Sequence, residues 1–289
     1  MSAVVPTGAA ALNTRPGVLK RLSRNRSALI GGTLVLIFVL MAVLAPLLPL
    51  ADPVKSNFLA IRKPPSDLFW FGTDELGRDQ FTRIFFGAQA SLLAGIVSVL
   101  IALAIGIPFG LVAGWYGGWI DIIISRVTEA LLACPFLILA IAFAAVLGPS
   151  LTNAMIAIGL SAVPIFIRLV RGQVLSVKAE DFVEGARAVG ARDLRLMFRH
   201  VLPNTLSPIV VQSTLSMAQA IILEAALSFL GLGQQPPSPS WGQMLNVAKN
   251  FMEQAPWMSV APGICIFLAV LGFNLLGDGL RDALDPKEG

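Results

Sequence analysis

Six long apolar runs limit what this chain can fold into: residues 28–50, 91–115, 122–147, 153–170, 206–231 and 257–277. A helix needs about 20 such residues to cross a bilayer, so the pattern predicts an all-α polytopic membrane protein with six transmembrane helices. Composition agrees, because 56% of the 289 residues are hydrophobic and only 13% are charged, against about a quarter charged in a soluble domain. The run at 28–50 follows a basic stretch, as the core of a signal peptide does. It exceeds the roughly 7–15 residues of a cleavable core and is read as a retained first span.

Six crossings put both termini on one side, and basic residues choose which. Arg15, Lys20, Arg21, Arg24 and Arg26 precede the first run, and Arg171, Lys178, Arg187, Arg192, Arg195 and Arg199 follow the fourth, whereas Lys249 alone follows the fifth. Since loops rich in Lys and Arg stay inside, both tails and the segment 171–204 are expected to be cytoplasmic. The loop 51–90 opposes this with Lys55, Arg62, Lys63, Arg78 and Arg83, interspersed with Asp52, Asp67, Asp74, Glu75 and Asp79. Parity of the six spans outweighs it. Trp70, Trp241 and Trp257 in the outer segments read as interfacial anchors, with part of a docking surface as the alternative.

Within the spans, Gly106, Gly110 and Gly114 recur every four residues after Ala102. They strip one helix face, and packing inside this chain is favoured over a seam between chains. Pro135, Pro164 and Pro262 interrupt three runs, which a bundle tolerates where neighbours or cavities satisfy the freed carbonyls. Asp121, Arg126 and Glu129 open the third run, and the spacing of the last two predicts a pair on one helix face. Glu224 lies deep in an apolar run with no base nearby in sequence. It is either a pathway or gating residue or a carboxyl bonded to a neighbouring helix, and both readings stay open. Cys134 and Cys265 sit in apolar runs as small packing residues rather than a redox or metal pair.

The segment between the fourth and fifth runs, "EGARAVGARDLRLMFRHVLPN" at 184–204, changes pattern. A short helix is expected at 180–189 with Phe182, Val183, Ala186 and Val189 as its apolar positions. A second has Leu194, Met197, Phe198 and Val201 on one face, opposite Arg192, Arg195 and Arg199. Gly190 supplies a turn between them, and Pro203 is expected to close the second helix. Amphipathicity alone favours a helix lying on the membrane surface, with a solvated loop and a partner-docking surface as alternatives.

The spacing says more. Glu184, Gly185 and Ala186, then Gly190 after three residues, His200 after nine more, and Leu202 and Pro203 resemble the EAA signature of permease subunits of ABC importers. Gly185 stands where that signature has alanine, at a cost in helix rigidity of up to about 1 kcal/mol; His200 stands where it often has isoleucine. "FGTDELGRDQFTRIFFGAQASL" at 71–92, "ACPFLILAIAFAAVLGPSLTNAMIAIGL" at 133–160, "LEAALSFLGLGQQPPSPSWGQML" at 223–245 and "NLLGDGLRDALDP" at 274–286 are similar to the dipeptide/oligopeptide/nickel branch of that family, in its second, C-type permease.

The resemblance implies a type I ABC importer transmembrane domain. Its layout would be a basic cytoplasmic tail at 1–27, a first span at 28–50, an external segment at 51–86, a permease core at 87–278 with a coupling hairpin at 180–203, and a cytoplasmic tail at 279–289. The hairpin would dock in an ATPase subunit through Glu184, Gly185, Ala186, Gly190, Ala191, Arg192, Asp193, Leu202 and Pro203. Implied partners are a second homologous permease, two ATP-binding subunits, an external substrate-binding protein and the lipid of a bacterial plasma membrane; nucleic acid is not among them. The chain has no G-x-x-x-x-G-K-[ST] loop, so ATP and Mg would be used by the partner ATPases and no cofactor by this chain. His200, the sole histidine, is read as a packing or capping residue, with no nucleophile or metal set around it. Expected cargo is a di- or oligopeptide, with glutathione, nickel complexes or other small solutes as alternatives. The rival from another class is a self-sufficient secondary transporter or channel, for which an internal repeat and midplane ionisable groups would be expected.

Overall fold

The computed structural model describes residues 21–284; Arg15 and Lys20 of the basic tail, and residues 285–289, lie outside them. Ten helices are labelled here: α1 (Arg26–Leu44), α2 (Gln80–Tyr116), α3 (Gly118–Leu132), α4 (Phe136–Leu147), α5 (Leu151–Lys178), α6 (Asp181–Ala188), α7 (Asp193–Leu196), α8 (Leu202–Phe229), α9 (Trp241–Ala248) and α10 (Trp257–Leu284). Side-chain caps fix several starts: Asn25, Asp79, Ser150 and Ser240 each accept a backbone N–H from the first turn that follows, satisfying donors a helix leaves orphaned.

Five units are long and apolar enough to cross a membrane: α1, α2, α5, the continuous stretch Asp193–Phe229, and α10. The remaining run, the third, at 122–147, is not one straight span as expected. It is α3 and α4, bent by 94° at the break between them. Pro135 explains the break, since it donates no N–H and drives Cys134 before it away from helical backbone.

The centre of the bundle is the α2–α5 seam. A Cβ added at Gly106, Gly110 or Gly114 would stand 2.5, 2.7 and 2.8 Å from the Cβ atoms of Phe166, Val170 and Val174 respectively. The glycine face is therefore consumed within this chain, where close backbone approach gains dispersion contacts that lipid cannot replace. Gly159 of α5 returns the arrangement, admitting Ile101 of α2. By contrast α1 leans on α10 through Gly31 and Gly272 and leaves Leu36, Ile37 and Val43 exposed.

The segments between α1 and α2 and between α8 and α10 pack into a closed cap. Arg83 is buried and donates to the carbonyls of Pro53 (2.7 Å) and Pro237 (3.3 Å) and to Gln243 Oε1 (3.1 Å). Arg78 pairs with Asp74 and Glu75, each at 2.6 Å. Arg83 Nε also stands 3.3 Å from Asp74, so two of the five bases that opposed an outside loop are paired with carboxylates where they stand. Trp241 is a correction to the anchor reading: it is fully buried, donates from Nε1 to the Ile84 carbonyl (3.1 Å) and meets Phe38 edge-on at 5.4 Å. Trp70 is exposed, and the partly exposed Trp257 donates to the Thr73 carbonyl at 3.2 Å.

Candidate functional site

The segment 180–203 folds as two short helices around a tight turn. Asp181 and Glu184 occupy the first turn of α6, where carboxylates complement the helix dipole. Its end is a Schellman closure. Gly190 takes φ +86° and its N–H reaches the Arg187 carbonyl at 2.9 Å, while Ala191 N–H reaches that of Ala186 at 3.2 Å. This 5→2 and 6→1 pairing satisfies the last carbonyls and needs a residue tolerant of the left-handed region. Arg192 and Asp193 then open α7 in extended and helical backbone respectively.

Val183, Leu196, Met197 and Val201 are buried against Leu111, Trp115, Val170, Val174 and Ile209, with Ala186, Ala191 and Leu202 half-buried beside them. The expected apolar faces are only half right. Phe182 and Val189 of the first set, and Leu194 (64%) and Phe198 (57%) of the second, are exposed. Leu196, absent from that spacing, is fully buried and holds the centre of the inward arc instead. Glu184, Gly185, Gly190, Arg192 and Asp193 all lie on the open side, and nothing stands within 4 Å of a Cβ added at Gly185 or Gly190.

Pro203 does not end the second helix. Met197–Val201 form a π turn in which Leu202 N–H bonds to the Met197 carbonyl, and the chain continues into α8. Widening the turn relieves the clash that a proline ring makes with the carbonyl four residues back and leaves the axis unbroken. Asn204 donates from its side chain to the His200 carbonyl at 2.6 Å.

The structure brings the nine hairpin residues together but places Glu224 elsewhere, 22 residues further along the α8 axis, or about 33 Å at the helical rise. Its carboxylate is 0% exposed; it accepts hydrogen bonds from Ser91 of α2 (2.9 Å) and Ser228 (2.7 Å), while Ser91 Oγ accepts the Trp241 N–H at 3.4 Å. Burial of a carboxylate is tolerable with such donors. A cavity of about 560 Å³ opens between α5, α8 and α10, with Gln173, Asn204, Gln212 and Arg281 in its wall; Glu224 does not line it.

Sequence reasoning paired Arg126 with Glu129, and they meet at 2.8 Å in the open. It missed the partner of Asp121. Arg171 of α5 binds both Asp121 oxygens, at 2.5 and 2.7 Å, tying α3 to the bundle just before the hairpin. Fifty residues separate the two, so no local spacing reveals them.

Comparison with known proteins follows the same outline. Residues 106–288 match the family described as "Binding-protein-dependent transport system inner membrane component", and residues 17–65 match the "N-terminal TM domain of oligopeptide transport permease C". A dipeptide transport system permease protein DppC of Alkalihalophilus pseudofirmus is 50% identical over 93% of this chain and 88% of that protein. A glutathione transport system permease protein GsiD of Salmonella paratyphi A is 49% identical over 93% and 89%. Among solved structures, an inward-facing MetNI methionine ABC transporter superposes with a TM-score of 0.56 at 21% identity, over 69% of this chain and 95% of that one; it bears on the fold alone.

Proposed function

This chain belongs to the family of binding-protein-dependent transport system inner membrane components and is a permease subunit of such an ABC importer, and from that premise we propose how it works. It lines half of a translocation pathway for di- or oligopeptides, the other half being a homologous permease. An external protein delivers cargo and two ATPase subunits, which hold ATP and Mg, drive the cycle. Both termini and the hairpin 180–203 face the cytoplasm of a bacterium, and the chain itself performs no covalent chemistry. Glutathione is the second reading of the cargo, because relatives nearly equal in identity are named for dipeptide and for glutathione.

One observation carries the coupling role. The hairpin is built on one side into the core and left open on the other, with Glu184, Gly185 and the Gly190 turn unobstructed. Glu184 there can accept a charge-assisted bond from a basic group of the ATPase, and the absent Cβ of Gly185 allows close approach. A pull on the hairpin enters α8 directly, since the π turn joins α7 to it without a break. Glu184→Lys and Gly190→Val are expected to remain in the membrane while losing transport and co-purifying less ATPase. Normal uptake and co-purification in both would overturn the docking role.

A further inference from the structure

We propose that Trp115 is the joint holding the hairpin to the bundle, a positioning residue through which motion of α6 reaches α2 and α5 together; this rests on the docking reading above. Trp115 is the penultimate residue of α2 and is 3% exposed. The Arg187 guanidinium carbon stands 5.3 Å from the centre of its ring and the Lys178 Nζ 5.4 Å. Lys178 also donates to the Trp115 carbonyl at 2.5 Å. Tryptophan is the strongest aromatic acceptor for a cation, and an ammonium at a helix C-terminus meets carbonyls that lack partners.

The three side chains come from three different pieces: the end of α2, the end of α5 and the end of α6. Only Ala179 and Glu180 link α5 to α6, and α6, eight residues long, buries a single side chain, Val183. So short a helix has little stability of its own, and its orientation depends on what it touches. Arg187 lies one turn beyond Val183, so the indole ring gives α6 a second point of attachment, and two points fix a direction where one leaves a pivot. Because the glycine seam locks α2 to α5, a displacement delivered at the ring moves both spans as one body. Trp115 also belongs to the same buried cluster as Val183 of one arm of the hairpin and Leu196, Met197 and Val201 of the other.

The test uses the complete importer in proteoliposomes, loaded with a labelled dipeptide on its binding protein, with Trp115→Leu, Trp115→Tyr, Arg187→Gln, Arg187→Lys and Glu184→Lys. Co-purified ATPase, ATP hydrolysis and uptake are each measured. Trp115→Leu and Arg187→Gln are expected to retain the ATPase and hydrolyse ATP while uptake per ATP falls roughly fivefold and twofold. Trp115→Tyr and Arg187→Lys keep ring and cation and stay nearer the unmodified protein. The double variant Trp115→Leu/Arg187→Gln falls no further than Trp115→Leu. Unchanged uptake per ATP in Arg187→Gln, an equal loss in Arg187→Lys, or loss of the ATPase from Trp115→Leu would each overturn the joint. Should Trp115→Leu fail to accumulate, the exposed Arg187 pair decides. A normal Glu184→Lys counts against the docking reading; a defective Glu184→Lys beside a normal Arg187→Gln counts against the joint alone.

Discussion

Single glycines set distances in this molecule that no other residue reproduces, and two of them make a sharp contrast. Gly110 faces Val170 with no room for a Cβ, whereas nothing lies within 4 Å of one at Gly172 on α5. Gly110→Val is therefore expected to destabilise the bundle by roughly 1–3 kcal/mol through overpacking, seen as a lower melting temperature in detergent. Gly172→Ala should be neutral or raise stability by up to about 1 kcal/mol through helix propensity. Equal effects of the two would contradict the seam. The four-residue repeat of glycines was legible from sequence because helical periodicity is local, and so was the positive φ of Gly190. The burial of Trp241 was not, because it depends on Phe38 and Ile84, distant in the chain. Glu224 shows the same limit, since its donors Ser91 and Ser228 come from two helices and only one is near in sequence.

Among the elements, helical type followed from the apolar runs but length did not, since α2 (Gln80–Tyr116) and α5 (Leu151–Lys178) outrun the stretches 91–115 and 153–170, and prolines acted on the helices in two opposite ways. Pro135 breaks its run into α3 and α4, but Pro203 is absorbed by a π turn and Pro108, Pro164, Pro208 and Pro262 lie inside helices. Whether a proline breaks or is absorbed depends on neighbours that sequence spacing does not contain. With α3 bent away from α4, the Asp121–Arg171 pair is a tie between α3 and α5. Asp121→Arg and Arg171→Asp are each expected to lower the melting temperature and the yield of assembled importer, and the double exchange to recover most of both. A double variant as poor as the worse single would mean that the pair does not hold these helices. The hairpin teaches a related lesson about faces: its helices were read correctly as helices, but Leu194 and Phe198 turned outward once Leu196 took the inward centre.

Across the described residues, one continuous helical path leads from the hairpin through the π turn and α8 to the buried Glu224 cluster beneath the cap of Arg83 and Trp241. A push received at one end of such a rod is delivered at the other, which suits a subunit that converts motion made elsewhere into access for cargo. The rival account, a transporter that works alone, gives no role to the exposed side of the hairpin, where Glu184, Gly185 and Gly190 lie. Purified chain in liposomes, compared with the full set of two permeases, two ATPases and the binding protein, separates them directly. The expected result is uptake of labelled dipeptide only by the full set and only with ATP and Mg inside the liposomes' cytoplasmic face. Uptake by this chain alone on an ion gradient, without ATPase subunits, would contradict it.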